Sequence, residues 1–189
     1  MAVAEDGGFW VFAYGSLMWD PGFAFVERRQ ARLSGYRRSF RLRSLRYRGT
    51  PELPGLVLGL DWDPNASCAG VAFRVAGPET EPVRDYLAER ELITRSYFEV
   101  YYPVVITCPG PGQGAPVNAI CYVLDRTHEQ YAGPIGLEEQ AETIARAEGP
   151  RGPNWEYLYN TAEKLAAEGL PDPDLARLAS MVRDLRGEA

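Results

Sequence analysis

The order of apolar and polar positions predicts a chain that begins with strands and ends with helices. Six apolar or aromatic residues, Phe9 to Tyr14, run without a break into Gly15 and Ser16. This pattern is typical of a buried strand that stops at a tight turn. Alternating or short apolar runs predict further strands over 40–47, 56–60, 67–75, 97–106 and 117–124, and helical spacing predicts helices near 80–91, 136–148, 154–169 and 174–186.

Turn residues separate these elements. Asp61-Trp62-Asp63-Pro64-Asn65 predicts a turn between two strands, the glycine- and proline-rich stretch 109–114 predicts a hairpin-like loop, and Thr80 is the expected N-cap of the first helix. Strands followed by helices favour an α+β fold with a mostly antiparallel curved sheet or small barrel. With 189 residues and no repeat or low-complexity linker, we expect a single domain, 1–189, with its core at about 9–186.

Charge and composition narrow the function classes. The net charge is −6 and the pI is near 5.0, so neither nucleic acid nor an anionic membrane is an expected partner. Arginines cluster between Arg28 and Arg48, but they alternate with apolar residues there, which indicates a strand with one solvated face. An alternative stays open, in which one of these arginines binds a substrate carboxylate. No run approaches membrane-spanning length and no signal peptide is evident, so we expect a cytoplasmic protein of undetermined oligomeric state.

Two stretches carry candidate chemistry. At the end of the first strand, Gly15 can adopt backbone angles closed to other residues, so the N–H groups of Tyr14-Gly15-Ser16-Leu17 can converge on an anion. On the helix near 80–91, Glu91 is the acid nearest the apolar stripe. A position at the helix C-terminus and partial burial would both raise its proton affinity. The alternative is a solvated acid that ends a helix.

The sequences of these two stretches resemble the motifs of a known family. Val-Phe-Ala-Tyr-Gly-Ser-Leu-Met-Trp-Asp-Pro-Gly-Phe, from Val11 to Phe23, resembles the N-terminal signature of the ChaC-like γ-glutamylcyclotransferases. Tyr-Leu-Ala-Glu-Arg-Glu, from Tyr86 to Glu91, resembles their second signature, and the likeness runs from about Trp10 to Leu178. Such enzymes release 5-oxoproline from γ-glutamyl compounds, chiefly glutathione. The resemblance implies a small mixed, mostly antiparallel β-barrel with flanking C-terminal helices.

The resemblance also implies a site. The catalytic position is Glu91, whereas Glu89 occupies a variable position. Many members have glycine where this chain has Ala13, which bears on substrate preference. No metal or cofactor is implied. The implied substrate-binding residues are Val11, Phe12, Ala13, Tyr14, Gly15, Ser16 and Leu17, together with Tyr131 from the phrase Tyr131-Ala132-Gly133.

The reaction so implied is an intramolecular cyclisation of a small-molecule substrate. The α-amine of the γ-glutamyl group attacks its own γ-carbonyl, and Glu91 carries the proton to the leaving amine. The turn at Gly15 binds either the α-carboxylate or the developing oxyanion. Glutathione is the leading substrate, yielding 5-oxoproline and cysteinylglycine. The alternatives are another γ-glutamyl amine or peptide, or a module that binds such a ligand without catalysis.

Overall fold

The computed structural model describes residues 7–188. The chain forms two compact units: unit 1 consists of residues 7–38 and 60–125, and unit 2 consists of residues 39–59 and 126–188. The expectation of a single domain stays a prediction.

The elements follow the predicted order of strands and then helices. The first helix lies among the strands, and the others close the chain. The strands are β1 (Phe9–Ala13), β2 (Glu27–Ser44), β3 (Gly55–Val75), β4 (Tyr97–Ile106), β5 (Pro116–Leu124) and the short pair β6 (Glu148–Gly149) and β7 (Gly152–Pro153); the helices are α1 (Thr80–Glu91), α2 (Leu137–Arg146), α3 (Asn154–Ala167) and α4 (Pro173–Arg186).

The five long strands close into a barrel; most of their residues belong to unit 1, whereas residues 39–44 of β2 and 55–59 of β3 belong to unit 2. The strand order is β1-β3-β2-β4-β5, closed by further pairing of β5 with β1 and β3. The pairs β1–β3, β2–β4 and β4–β5 are antiparallel, whereas β5 runs parallel to β1 and β3. The α+β class with a mixed, mostly antiparallel barrel is therefore confirmed. Its core is made of fully buried apolar side chains, among them Val11, Phe12, Phe73, Leu87 and Ile120.

The predicted turn at 61–65 is wrong, because β3 continues without a break from Gly55 to Val75. Asp61 is fully buried, and Asp63 forms an ion pair with Arg37 at 2.8 Å. The Asp63 carboxylate also accepts a hydrogen bond from the Asn65 N–H at 3.0 Å. Turn-forming side chains thus find partners inside a strand, and the barrel environment overrides their local preference.

The start of α1 also differs from the prediction. Thr80 is the first helical residue rather than the N-cap, and the capping residue Glu79 makes no side-chain cap. The Thr80 hydroxyl instead donates to the Gly7 carbonyl at 3.2 Å. The predicted end is confirmed, since Glu91 is the last residue of α1.

Unit 2 combines α2, α3 and α4 with residues 39–59. The fully buried Asn154 at the start of α3 binds the backbone of β3, because its side chain accepts from the Leu56 N–H at 2.6 Å and donates to the Leu56 carbonyl at 2.7 Å. Gly187 ends α4 with a φ of +69°, as expected for a helix C-cap. None of the helices within residues 7–188 has the length and apolar character that crossing a membrane requires.

Candidate active site

The turn that follows β1 is a single turn of 3-10 helix, Ser16–Met18. The Met18 N–H donates to the Gly15 carbonyl and the Asp20 N–H to the Ser16 carbonyl, both at 2.9 Å. Gly15 has a φ of −141° and a ψ of −134°, so the turn is made without a positive φ. The first N–H groups of a helical turn have no partner within it, and Ser16 and Leu17 occupy those positions.

A buried arginine holds the backbone of this turn. Arg38 is only 6% exposed, and its Nε donates to the Tyr14 carbonyl at 2.6 Å while Nη2 donates to the Ala69 carbonyl at 2.5 Å. Strand β3 approaches β1 closely here, since a Cβ on Gly70 would meet the Ala13 oxygen at 2.3 Å. The end of β1 is therefore fixed by a guanidinium and by the neighbouring strand.

The predicted substrate-binding residues of this stretch differ in exposure. Val11, Phe12 and Ala13 are fully buried in β1, and Tyr14 and Leu17 are also buried. Gly15 and Ser16 are the partly exposed members of the set. The buried side chains support the turn from the barrel, and contact of this set with substrate stays a prediction.

The candidate catalytic acid lies at the end of α1. The Glu91 side chain is 18% exposed. Burial raises the pKa of its carboxyl above the ordinary value, although the charge and hydrogen bond of Arg90 act in the opposite direction. Arg90 Nε lies 3.3 Å from Glu91 Oε1. The carboxylate is thus partly neutralised, yet it keeps an increased affinity for a proton.

Arg90 connects this carboxylate to the turn after β1. Its Nη2 donates to the Ser16 hydroxyl at 3.1 Å, and its Nη1 donates to the Asp20 carbonyl at 2.8 Å. The same Nη1 donates to the Tyr86 hydroxyl at 2.6 Å. Because one guanidinium contacts both signatures, the structure brings Glu91 and the Gly15-Ser16 turn into one site within unit 1.

A second carboxylate belongs to this region and was not predicted from the sequence. Glu99 on β4 lies directly opposite Tyr122 on β5, and the Tyr122 hydroxyl donates to Glu99 Oε2 at 3.1 Å. Burial, together with the negative charges of Glu99 and Glu91, raises the pKa of Tyr122 far above its usual range. Glu99 Oε1 forms an ion pair with Arg84 Nη2 of α1 at 3.3 Å.

Tyr131 lies in unit 2, whereas the other predicted site residues lie in unit 1. It forms an isolated antiparallel bridge with Leu42, and its carbonyl accepts from Arg43 Nη1 at 3.3 Å. The Arg126 guanidinium lies 6.0 Å from the centre of its ring. A role of Tyr131 in substrate binding stays a prediction. Within residues 7–188, no group of three or more His, Cys, Asp or Glu side chains is arranged to hold a metal ion.

The closed mixed barrel with its flanking helices is the fold of a solved γ-glutamylcyclotransferase. A crystal structure of the yeast γ-glutamyl cyclotransferase specific to glutathione matches it with a TM-score of 0.81 and 25% identity, covering 95% of this chain and 99% of that chain. The family described as ChaC-like protein matches residues 9–185. The chain belongs to the ChaC-like family.

Curated relatives match almost the whole length of this chain in sequence. The γ-glutamylcyclotransferase 2-3 of Arabidopsis thaliana is 36% identical over 95% of this chain and 91% of its own length. The glutathione-specific γ-glutamylcyclotransferase of Escherichia coli is 34% identical over 97% of this chain and 77% of its own length. The resemblance inferred from the two signatures is thereby confirmed.

Proposed function

We propose that this chain is a γ-glutamylcyclotransferase that converts glutathione into 5-oxoproline and cysteinylglycine. The main support is the environment of Glu91: its carboxyl group is mostly buried and has a raised pKa, and it contacts Arg90, which also donates a hydrogen bond to Ser16 in the turn after β1. The names of the relatives, which include enzymes specific to glutathione, support the choice of substrate.

The reaction needs little beyond folding the substrate and moving one proton. The α-nitrogen forms a bond to the γ-carbonyl carbon, and the bond from that carbon to the cysteine nitrogen breaks. Since nucleophile and electrophile are already tethered, holding the folded-back conformer can supply up to about 7–11 kcal/mol of the barrier. The α-amine, with a reference pKa of about 8, must lose a proton, and the leaving nitrogen must gain one.

Glu91 fits both proton transfers. As a carboxylate it accepts the proton of the α-amine, and as a carboxylic acid it gives that proton to the leaving nitrogen. A raised pKa brings the two forms closer in free energy near neutral pH, which favours both steps. Arg90 acts against this rise, because its charge and its hydrogen bond favour the ionised form.

We assign to the turn after β1 the binding of the anionic part of the substrate. The N–H groups of Gly15, Ser16 and Leu17 bind either the α-carboxylate or the oxygen that becomes negative in the tetrahedral intermediate. Arg38 holds the preceding carbonyl of Tyr14 in place, so these donors are fixed before substrate arrives. Such preorganisation is what stabilises a developing charge without further rearrangement.

A cytoplasmic location follows from the same proposal. Glutathione keeps thiols reduced in the cytosol, and Cys68, Cys108 and Cys121 form no disulfide in the structure. We expect the protein to act there on a small-molecule substrate.

Two matched variants test the proposal, with 5-oxoproline release from glutathione as the readout. Glu91→Gln keeps the shape of the side chain and removes proton transfer, so kcat should fall by at least about 100-fold. Glu89→Gln changes an exposed acid on the same helix and should leave kcat unchanged. A folded Glu91→Gln variant with wild-type activity would contradict the proposal.

The same assay separates the alternatives. If the wild type binds glutathione without releasing 5-oxoproline, the protein is a binding module. If only other γ-glutamyl amines are cyclised, the reaction stands and the leaving amine differs.

A further inference from the structure

Glu99 takes no part in the reaction described above, although its ion-pair partner Arg84 lies on α1, the helix that ends at Glu91. We propose that Glu99 is a positioning residue: by accepting the hydroxyl proton of Tyr122, it turns the phenolic oxygen into a hydrogen-bond acceptor for the α-ammonium group of the substrate. This inference rests on the proposed function, because it assigns a recognition role within the same site.

The register of the sheet explains why these two side chains meet. Glu99 and Tyr122 are directly opposite each other in the antiparallel pair β4–β5, so both side chains extend from the same face of the sheet. Their oxygens are 3.1 Å apart, and Tyr122 is 1% exposed. The phenol is therefore held in one place by the barrel.

Arg84 fixes the other end of the carboxylate. It lies on α1, the same helix that carries Glu91, and its Nη2 is 3.3 Å from Glu99 Oε1. The Arg84 and Glu99 side chains are 40% and 21% exposed, and ion pairs with that exposure contribute little to stability. A neutral acceptor would satisfy a buried tyrosine hydroxyl at lower desolvation cost, so the charge of Glu99 calls for a functional explanation.

The proton arrangement determines what Tyr122 can do. A tyrosine hydroxyl has one proton to donate, and here that proton is directed to Glu99 Oε2. Burial and the nearby negative charges keep Tyr122 in its protonated form, so it does not act as a base at neutral pH. What its oxygen offers to a ligand is lone pairs.

These acceptors match an ammonium group. A substrate with an α-ammonium group brings three N–H donors and a positive charge, which the oxygens of Tyr122 and Glu91 can receive. Arg84 and Arg90 are each paired with one carboxylate, so the described site is close to neutral before substrate binds. We expect selection for ligands that carry a free α-amine.

The test compares two ligands that differ only in that amine: glutathione, and its analogue with a glutaryl group in place of the γ-glutamyl group. Binding is measured by calorimetry in the Glu91→Gln background, where glutathione is not consumed. Adding Glu99→Gln should weaken glutathione binding by about tenfold, since the neutral amide polarises the Tyr122 oxygen less and its N–H groups can donate to that oxygen in competition with the ammonium group. The affinity for the glutaryl analogue should not change.

Two further variants separate positioning from a structural effect. Tyr122→Phe should weaken glutathione binding to a similar degree, and its combination with Glu99→Gln should add little, because both changes remove the same contact. Glu27→Gln breaks a comparable ion pair, Glu27–Arg74 at 3.2 Å, and should leave both affinities unchanged. With Glu91 restored, Glu99→Gln should raise KM for glutathione and change kcat by less than about threefold.

Different results would overturn the role of Glu99 and the proposed cyclisation of glutathione. Equal weakening of both ligands, or no weakening of either, by Glu99→Gln would overturn the role of Glu99. Absence of 5-oxoproline release by the wild type, with amine-dependent binding that still requires Glu99, would overturn the proposed reaction and support the recognition role. Absence of glutathione binding would overturn both.

Discussion

Replacing Arg38 by methionine should destabilise the protein strongly and loosen the turn after β1. The arginine is 6% exposed and donates two charged hydrogen bonds, to the carbonyls of Tyr14 and Ala69. Hydrogen bonds to a charged group contribute about 1.5–3 kcal/mol each, and a buried acceptor left without a partner carries its own desolvation cost. Loss of both bonds should therefore lower the free energy of unfolding by about 3–6 kcal/mol, a large part of the stability of a typical domain.

The neighbouring Arg37 provides the matched control. Its ion pair with Asp63 is 2.8 Å long, with side chains that are 42% and 26% exposed, and such pairs contribute about 0.2–1 kcal/mol after solvent screening. Urea unfolding of Arg37→Met and Arg38→Met gives the two values directly. If Arg38→Met lowers the free energy of unfolding no more than Arg37→Met does, the buried guanidinium does not hold the turn. Under conditions where Arg38→Met is folded, its KM for glutathione should exceed that of the wild type.

Two further predictions concern the other groups of the site. The rate should fall as the pH falls through the raised pKa of Glu91, because only the carboxylate accepts the proton of the α-amine. Since Arg90 lowers that pKa, Arg90→Met should move the acid limb of the kcat–pH profile to higher pH. An acid limb at the wild-type position would contradict this prediction. Gly22→Ala places a Cβ 2.0 Å from the Tyr86 hydroxyl oxygen at a φ of +71°, whereas Gly187→Ala meets no atom at a φ of +69°. Gly187→Ala should cost about 1–2 kcal/mol of unfolding free energy, and Gly22→Ala should cost more and reduce activity; equal costs in urea unfolding would show that the contact with Tyr86 is unimportant.

Several elements were predictable from local pattern alone. The alternation over 97–106 gave the bounds of β4, and helical spacing correctly placed Glu91 at the end of α1. Both predictions use the periodicity of apolar positions, which has a period of about two residues in strands and 3.6 residues in helices. By contrast, the turn-forming residues led to a wrong prediction of a break at 61–65, because the burial of Asp61 and the ion pair of Asp63 with Arg37 depend on the barrel and not on the neighbouring sequence.

The supporting residues of the site were harder to predict. Arg38 shares strand parity with the buried Tyr36, Phe40 and Leu42, so its position on the apolar face was a signal within the arginine-rich segment. Its two carbonyl partners are distant in sequence, and no local pattern identifies them.

The pair formed by Glu99 and Tyr122 depends on the register of the β4–β5 hairpin. That register is set by the length and geometry of the intervening loop, and a glycine- and proline-rich loop does not specify it from sequence. The sequence therefore supplied the candidate acid and the turn, and the structure supplied the arginines and the second carboxylate around them.

In the proposed reaction the substrate's own amine, and not water, attacks the γ-carbonyl. The direct test is to incubate the wild type with glutathione in water enriched in a heavy oxygen isotope and to identify the products by mass spectrometry. Intramolecular cyclisation should give equal amounts of 5-oxoproline and cysteinylglycine from the first time point, with no heavy oxygen in either product. Glutamate carrying heavy oxygen in its γ-carboxylate would show that water is the nucleophile and would contradict the assignment.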